Sequence, residues 1–212
     1  MNKKLINWLG LTGVVALVSY AAAVVFAPAA YPGYDWMSQA VSDLSAASAP
    51  SRDLWDQLST PYRSCGIVCV TCACIYVSER RTFTRLFRVG IYLFALMNWV
   101  SSVGYGLFPL SAAGTGMSSF QDIMHVYVIT VAVVLLSIVS LSLLIAAGIR
   151  CADVRSVGHW AGVALAMMLV GAIGQGLVPP QFFGVVERFS VFAAVGFNAV
   201  LGVRLFQSFG QE

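Results

Sequence analysis

The sequence predicts an all-α protein, a single bundle of six transmembrane helices, and three observations predict it. Only 10% of the 212 residues are charged, against 59% hydrophobic, where a soluble domain carries roughly 25% charged residues. Long uncharged apolar stretches recur six times, each near the roughly 20 residues that a helix needs to cross the hydrocarbon core. The basic residues gather in short connectors on alternate sides of those stretches, which is the topology signal of a membrane protein. A mean hydropathy of +0.83 agrees. The net charge of +3 is spread over connectors rather than gathered on one face, so it gives no nucleic-acid footprint.

Span one runs from about Ile6 to Ala29, after Lys3 and Lys4. Ala27-Pro28-Ala29 resembles a signal-cleavage site, but the apolar run exceeds the roughly 7–15 residues of a signal core. A retained anchor is therefore expected. Span two is expected from about Pro61 to Val77, with Thr60 before it, because proline at the first helical position loses no needed hydrogen bond. Span three covers about Arg88 to Phe108 and stops at Pro109. Spans four, five and six cover about Phe120 to Ile149, Val157 to Val178 and Phe182 to Phe206.

Orientation follows from the basic residues. With the N-terminus inside, Lys3, Lys4, Arg80, Arg81, Arg85, Arg88, Arg150, Arg155 and Arg204 are cytoplasmic, and Arg52, Arg63 and Arg188 are outside. Six crossings return the C-terminus to the cytoplasm. The long connector from Tyr31 to Ser59 is then external. Trp36, Met37, Ala40, Val41 and Leu44 recur in it at helical spacing, which predicts a short amphipathic helix at the outer interface. Ser51 to Leu58 reads as a second one.

Polar groups in membrane segments are costly and mark candidate sites. Asp35, Asp43, Asp53, Asp56, Asp122 and Glu187 fall on the outer side, against Glu79, Asp153 and Glu212 inside. His125 joins the outer group, while His159 lies near the cytoplasmic end of span five. Asp122 and His125 share a helix face at spacing i, i+3, so the carboxylate can tune the imidazole as an acid–base pair. Ser119-Phe-Gln-Asp122 equally fits a capping box, and metal ligation is a third reading. Glu187 and Arg188 point about 100° apart on a helix, so each wants a partner on another element. Arg63 is expected to meet Glu187 or Asp122, and Arg188 to meet Asp43, either as a structural ion-pair network or as a pocket for a phosphate or carboxylate. Asn98 and Gln175 are expected to hydrogen-bond between helices. Cys65, Cys69 and Cys72 line one face of span two with Cys74 opposite, and are read as packing residues.

Several motifs together resemble a bacterial and archaeal membrane family known as domain of unknown function 998. They are Tyr31-Pro-Gly-Tyr-Asp35, Ser38-Gln-Ala-Val-Ser-Asp43-Leu, Gly106-Leu-Phe-Pro109, His125 and Glu187-Arg188. The family pattern often carries an acidic residue after the Phe-Pro pair, where this chain has Leu110 and Ser111. The resemblance implies six spans in a cytoplasmic membrane and no established activity. It also implies a distant similarity to eukaryotic membrane proteins of lipid-anchor remodelling and lipid distribution.

Three functions compete. The first binds a lipid headgroup or small anionic ligand in an outward polar pocket of Asp43, Asp122, His125, Glu187, Arg188, Arg63 and Ser38. The second is an intramembrane lipid hydrolase or transferase, with Asp122 and His125 as acid–base groups and Ser38 as nucleophile. The third is a structural or accessory subunit. Two histidines on opposite faces cannot build a three-His zinc site, so neither a metal nor another cofactor is expected. A transporter is disfavoured because the acids hug one surface rather than the midplane.

Overall fold

Six helices long and apolar enough to cross a membrane make up the chain in the computed structural model, which describes residues 3–111 and 119–210. They are α1 (Leu5–Ala30), α2 (Arg52–Ser78), α3 (Arg85–Leu107), α4 (Phe120–Arg150), α5 (Ala152–Leu177) and α6 (Pro180–Phe206). No strand occurs among the described residues. Glu212, counted above among the inner acids, lies outside them. Helices adjacent in sequence pack side by side, and α6 closes the bundle by packing on α1 and α2. Short connectors between antiparallel neighbours make this arrangement the direct one.

The bundle has two unlike ends. The basic end carries the 79–84 and 151 connectors and, among the described residues, Lys3 and the 208–210 turn. The loop end carries residues 31–51, the described residues 108–111 and 119 between α3 and α4, and the connector from α5 to α6. The perimeter is apolar and exposed, for example Val18, Leu135, Ile173 and Leu177, as expected of a surface that faces lipid tails.

Small residues set the closest helix contacts. A Cβ built on Gly10 would lie 2.6 Å from the Gly202 carbonyl oxygen, and one on Gly13 would lie 2.8 Å from that of Asn198. Gly148 and Gly158 face each other where α4 crosses α5, a Cβ on Gly148 falling 2.7 Å from the Gly158 Cα. Close backbone approach is how helices associate where lipid supplies no hydrophobic drive. Between these seams Phe94 meets Phe197 edge to face at 4.9 Å, with Leu141, Leu144 and Leu201 buried alongside.

At the basic end the chain turns back after α6, with Ser208 and Phe209 at positive φ (56° and 55°). This conformation is sparsely populated by residues other than glycine. Side chains hold it. The Asn7 amide donates to the Leu205 carbonyl (2.8 Å) and the Ser208 hydroxyl (3.3 Å), and the Tyr76 hydroxyl donates to the Ser208 carbonyl (3.2 Å). Phe209 is thereby buried against Tyr76, Phe83 and Phe87.

Three sequence expectations are corrected here. Span two does not start at Pro61: α2 begins at Arg52 and runs through Pro61 without a break, absorbing the segment read as a second interfacial helix. A mid-helix proline normally breaks the ladder, and a hydroxyl from α1 repairs it. Ser19 accepts the Tyr62 N–H (3.0 Å) and donates to the Leu58 carbonyl (2.5 Å), bridging the two groups that an i→i−4 bond would join. The second correction concerns residues 36–44, expected as an amphipathic helix. They form turns and a 3₁₀ turn at Ser42–Ser45 instead. Asn98 also differs from expectation, since its amide donates to Phe94 of its own helix rather than across the bundle (2.9 Å).

Candidate functional site

The loop end is organised by side chains that take backbone groups as partners. Asp35 starts the pattern. Its carboxylate accepts the Met37 N–H (3.1 Å) and the Ser38 hydroxyl (2.6 Å), while its own N–H donates to the Gln39 amide oxygen (2.7 Å). Asp43 accepts the Ala40 N–H (3.2 Å). Such local bonds compete with a helical ladder, which is why the apolar periodicity of this segment does not become a helix. The Ser38 hydroxyl and the Met37 N–H hold the exposed Asp35 carboxyl below the ordinary carboxylate range.

The folded loop is latched to the start of α6. Gly184 permits the approach, since a Cβ there would strike the Gln39 and Trp36 carbonyl oxygens. The Val185 N–H donates to the Met37 carbonyl (3.2 Å). Glu187 accepts the N–H of buried Val41 (3.0 Å). Arg188 donates to the Gly184 carbonyl (2.6 Å), the Gln39 carbonyl (3.2 Å) and the Tyr34 hydroxyl (2.8 Å). The Tyr34 hydroxyl in turn donates to the Ala40 carbonyl (2.9 Å). Burial pushes the Tyr34 phenol up, against the pull of Arg188. Glu187 and Arg188 thus do not satisfy each other directly, as expected, but their partners here are loop groups and the Gly184 carbonyl of α6 rather than side chains of other helices.

Asp122 and His125 occupy a second cluster, at the start of α4. The expected capping box is present: the Ser119 hydroxyl accepts the Asp122 N–H (3.1 Å), and the Asp122 carboxylate accepts the Ser119 N–H (3.2 Å). The carboxylate also takes the Ser111 N–H at 2.9 Å, so it staples the α3–α4 connector to the helix start. Replacing Ser119 with alanine is expected to destabilise this helix start by about 1 kcal/mol, the usual worth of an N-cap. A thermal unfolding midpoint unchanged from the parent would contradict it.

His125 stands in a wide π-type turn, Met124–Thr130, a feature often found at functional sites. Its Nδ1 meets the Phe108 carbonyl at 2.6 Å, which makes Nδ1 the protonated nitrogen when the ring is neutral and leaves Nε2 as an acceptor. The ring packs on Tyr105 at 4.6 Å between centroids. Tyr105 shares a hydrogen bond with Thr130 (3.0 Å), and Thr130 donates to the His125 carbonyl (2.8 Å). The acid–base pair expected from Asp122 and His125 is not assembled among the described residues, because the carboxylate faces Ser111 and Ser119 while Nδ1 faces Phe108.

Arg63 is also corrected. It meets neither Glu187 nor Asp122 but pairs with Asp56 at 2.8 Å on the exposed side of α2. Ser38 is half-buried and bonded to Asp35. The structure therefore draws together Tyr34, Gln39, Asp43, Glu187 and Arg188, sets Asp122 and His125 beside the α3–α4 connector, and leaves Arg63 and Ser38 at the rim. His159 lies at the basic end, on the wall of a different cavity.

Three tyrosines escaped the sequence reading, and a fourth, Tyr34, entered it only as part of a motif. Tyr34 lies in the Tyr31–Asp35 turn, where its spacing before Asp35 offered a signal. Tyr20, Tyr62 and Tyr105 sit in apolar runs that hide them. Tyr20 packs on Tyr62 at 4.8 Å and on Trp55 at 5.8 Å, and Val41 and Leu44 of the loop are buried in the same cluster. Tyr20, Tyr62 and Trp55 form an aromatic floor beneath the latched loop, while Tyr105 lies beside His125.

Residues 14–204 match the profile of a family described as a protein of unknown function, DUF998, and the chain belongs to that family. The same motifs that carried the resemblance are those that build the loop end. No curated protein matches the sequence. No solved structure matches it.

Proposed function

We propose that this DUF998 protein is a multi-pass protein of a bacterial or archaeal cytoplasmic membrane, with both termini cytoplasmic, that binds a lipid headgroup or small anionic ligand at its outward loop end. The side assignment is supported by nine basic residues at the basic end against Arg52, Arg63 and Arg188 at the other, the bias of cytoplasmic connectors.

One observation carries the binding reading: Arg188 is surrounded by neutral oxygens, two carbonyls and a phenol, at 2.6 to 3.2 Å. Three acceptors around one guanidinium occupy the positions that phosphate oxygens take, and a charged acceptor bonds about twice as strongly as a neutral one. An anion reaching Arg188 displaces Gln39 and Tyr34 and so lifts the loop from α6. Glu187 holds the loop closed meanwhile, Asp43 shapes the turn that Arg188 grips, and Asp122 and His125 border the neighbouring connector. A hydrolase is the reading this geometry favours least, since Asp122 is engaged in capping and the Ser38 hydroxyl is bonded to Asp35 rather than to an imidazole.

Hydrogen exchange on the full chain in detergent, titrated with inorganic phosphate and with glycerol phosphate, tests the reading. Exchange at residues 36–41 should rise with either anion in the parent and stay flat in Arg188→Gln. Flat exchange in the parent as well would leave the latch as a purely structural device.

A further inference from the structure

An open cavity lies away from the loop end. It is a trench of about 550 Å³ between α4 and α5 near the basic end, within the roughly 300–1,000 Å³ of ligand-binding clefts. Its walls are Ile145, Ile149 and Val163, and its floor is the Gly148–Gly158 crossing. Gly162 widens it, because a Cβ added there would meet nothing within 4 Å.

One stretch of this otherwise apolar lining is cationic. Arg155 and His159 lie one helical turn apart on α5, both exposed, and both line the trench. Arg150, also exposed, ends α4 beside them. Among the described residues the Arg155 guanidinium engages neither an ion pair nor a hydrogen bond. Asp153, the nearest acid in sequence, is not part of the lining.

An apolar channel roofed by bulk lipid would need no guanidinium, and a second copy of the chain related by two-fold symmetry would set Arg155 against its own like charge. The complement of a long apolar trench with a cationic mouth at membrane-surface depth is an amphiphile with a negative head. We propose that the α4–α5 trench binds an anionic phospholipid, an acyl chain lying against Ile149 and Val163 and the phosphate reaching Arg155 and His159. Arg is suited to that role because its planar fork grips two phosphate oxygens at once. The inference is independent of the loop-end reading, which concerns other residues at the opposite end.

Native mass spectrometry of the delipidated full chain, offered equal phosphatidylglycerol and phosphatidylcholine of matched chain length, decides it. The parent should retain phosphatidylglycerol over phosphatidylcholine by roughly fivefold, the size that one guanidinium near a membrane surface supplies. Arg155→Ala with His159→Ala should bring that ratio close to one. Gly162→Leu, whose Cβ would meet nothing within 4 Å and whose side chain would enter the trench, should lower retention of both lipids. Both substitutions alter exposed or open positions, and an unchanged thermal unfolding midpoint checks that the variants fold. Equal retention of the two lipids by the parent, or an undiminished ratio in the double variant, overturns the proposal. A dimer that Gly162→Leu dissolves, with no bound lipid, overturns it equally and assigns the trench to a second copy.

Discussion

Gly202→Val is expected to destabilise the bundle by about 3 kcal/mol, at the upper end of what overpacking costs. The reason is reciprocal contact. A Cβ on Gly202 strikes the Gly10 carbonyl oxygen and comes within 3.0 Å of the Cys69 sulfur, while one on Gly10 lies 2.6 Å from the Gly202 carbonyl oxygen. Neither backbone oxygen can swing aside as a flexible side chain would, so α1 and α6 must separate. Separation is felt by α2 as well, because the Cys69 thiol, which donates to the Asn198 carbonyl, is wedged between them. The comparison is Gly196→Val, six residues earlier on α6, where an added Cβ meets nothing within 4 Å. That change should stay within about 0.5 kcal/mol, as exposed substitutions do. Thermal unfolding in detergent, followed by tryptophan emission, separates the two. Equal midpoints for both variants would mean that the α1–α6 seam does not govern stability.

Glu187→Ala should release the loop without unfolding the bundle. Val41 is 2% exposed and its N–H donates to the Glu187 carboxylate, so truncation leaves a buried donor unpaired. Losing a bond to a charged group costs about 1.5–3 kcal/mol, which corresponds to exchange at the Val41 amide faster by about 10- to 100-fold. Amides of the α3–α4 core should not change. Glu187→Gln keeps a carbonyl acceptor at the same reach, and about half the effect is expected since neutral hydrogen bonds are weaker. Exchange at Val41 that is indifferent to both variants would show that Arg188 and Gly184 suffice to hold the loop.

What the sequence disclosed was what depends on length or on neighbours in the chain. Five of the six spans match their helices closely because a membrane crossing is read from twenty or so consecutive side chains. The Ser119–Asp122 cap was legible for the same reason, its partners being three residues apart. The start of α2 was not, because the fate of Pro61 is decided by Ser19, a residue of another helix. The loop misled in a different way. Its apolar residues do have helical spacing, and Val41 and Leu44 are indeed buried. Their burial is achieved by turns, which Asp35 and Asp43 stabilise locally and Arg188 captures from 149 residues away in the case of Gln39. Glu187 and Arg188 could be singled out as polar residues inside an apolar helix, yet their partners are backbone groups, and no residue pattern announces which carbonyl an arginine will take.

The Ser19 hydroxyl that splices Tyr62 to Leu58 also has a bearing on biogenesis. A nascent membrane protein emerges in order, so α1 is already synthesised when Pro61 leaves the ribosome. The weak joint of α2 is thus made after its splint, and an early α1–α2 hairpin is the smallest unit in which α2 can be continuous. Since residues 52–60 extend α2 past the joint toward the loop end, the pairing of the first two helices also turns the base of the long loop into a rigid arm. The site above it would then be shaped from the second helix onward, before α6 arrives to close it.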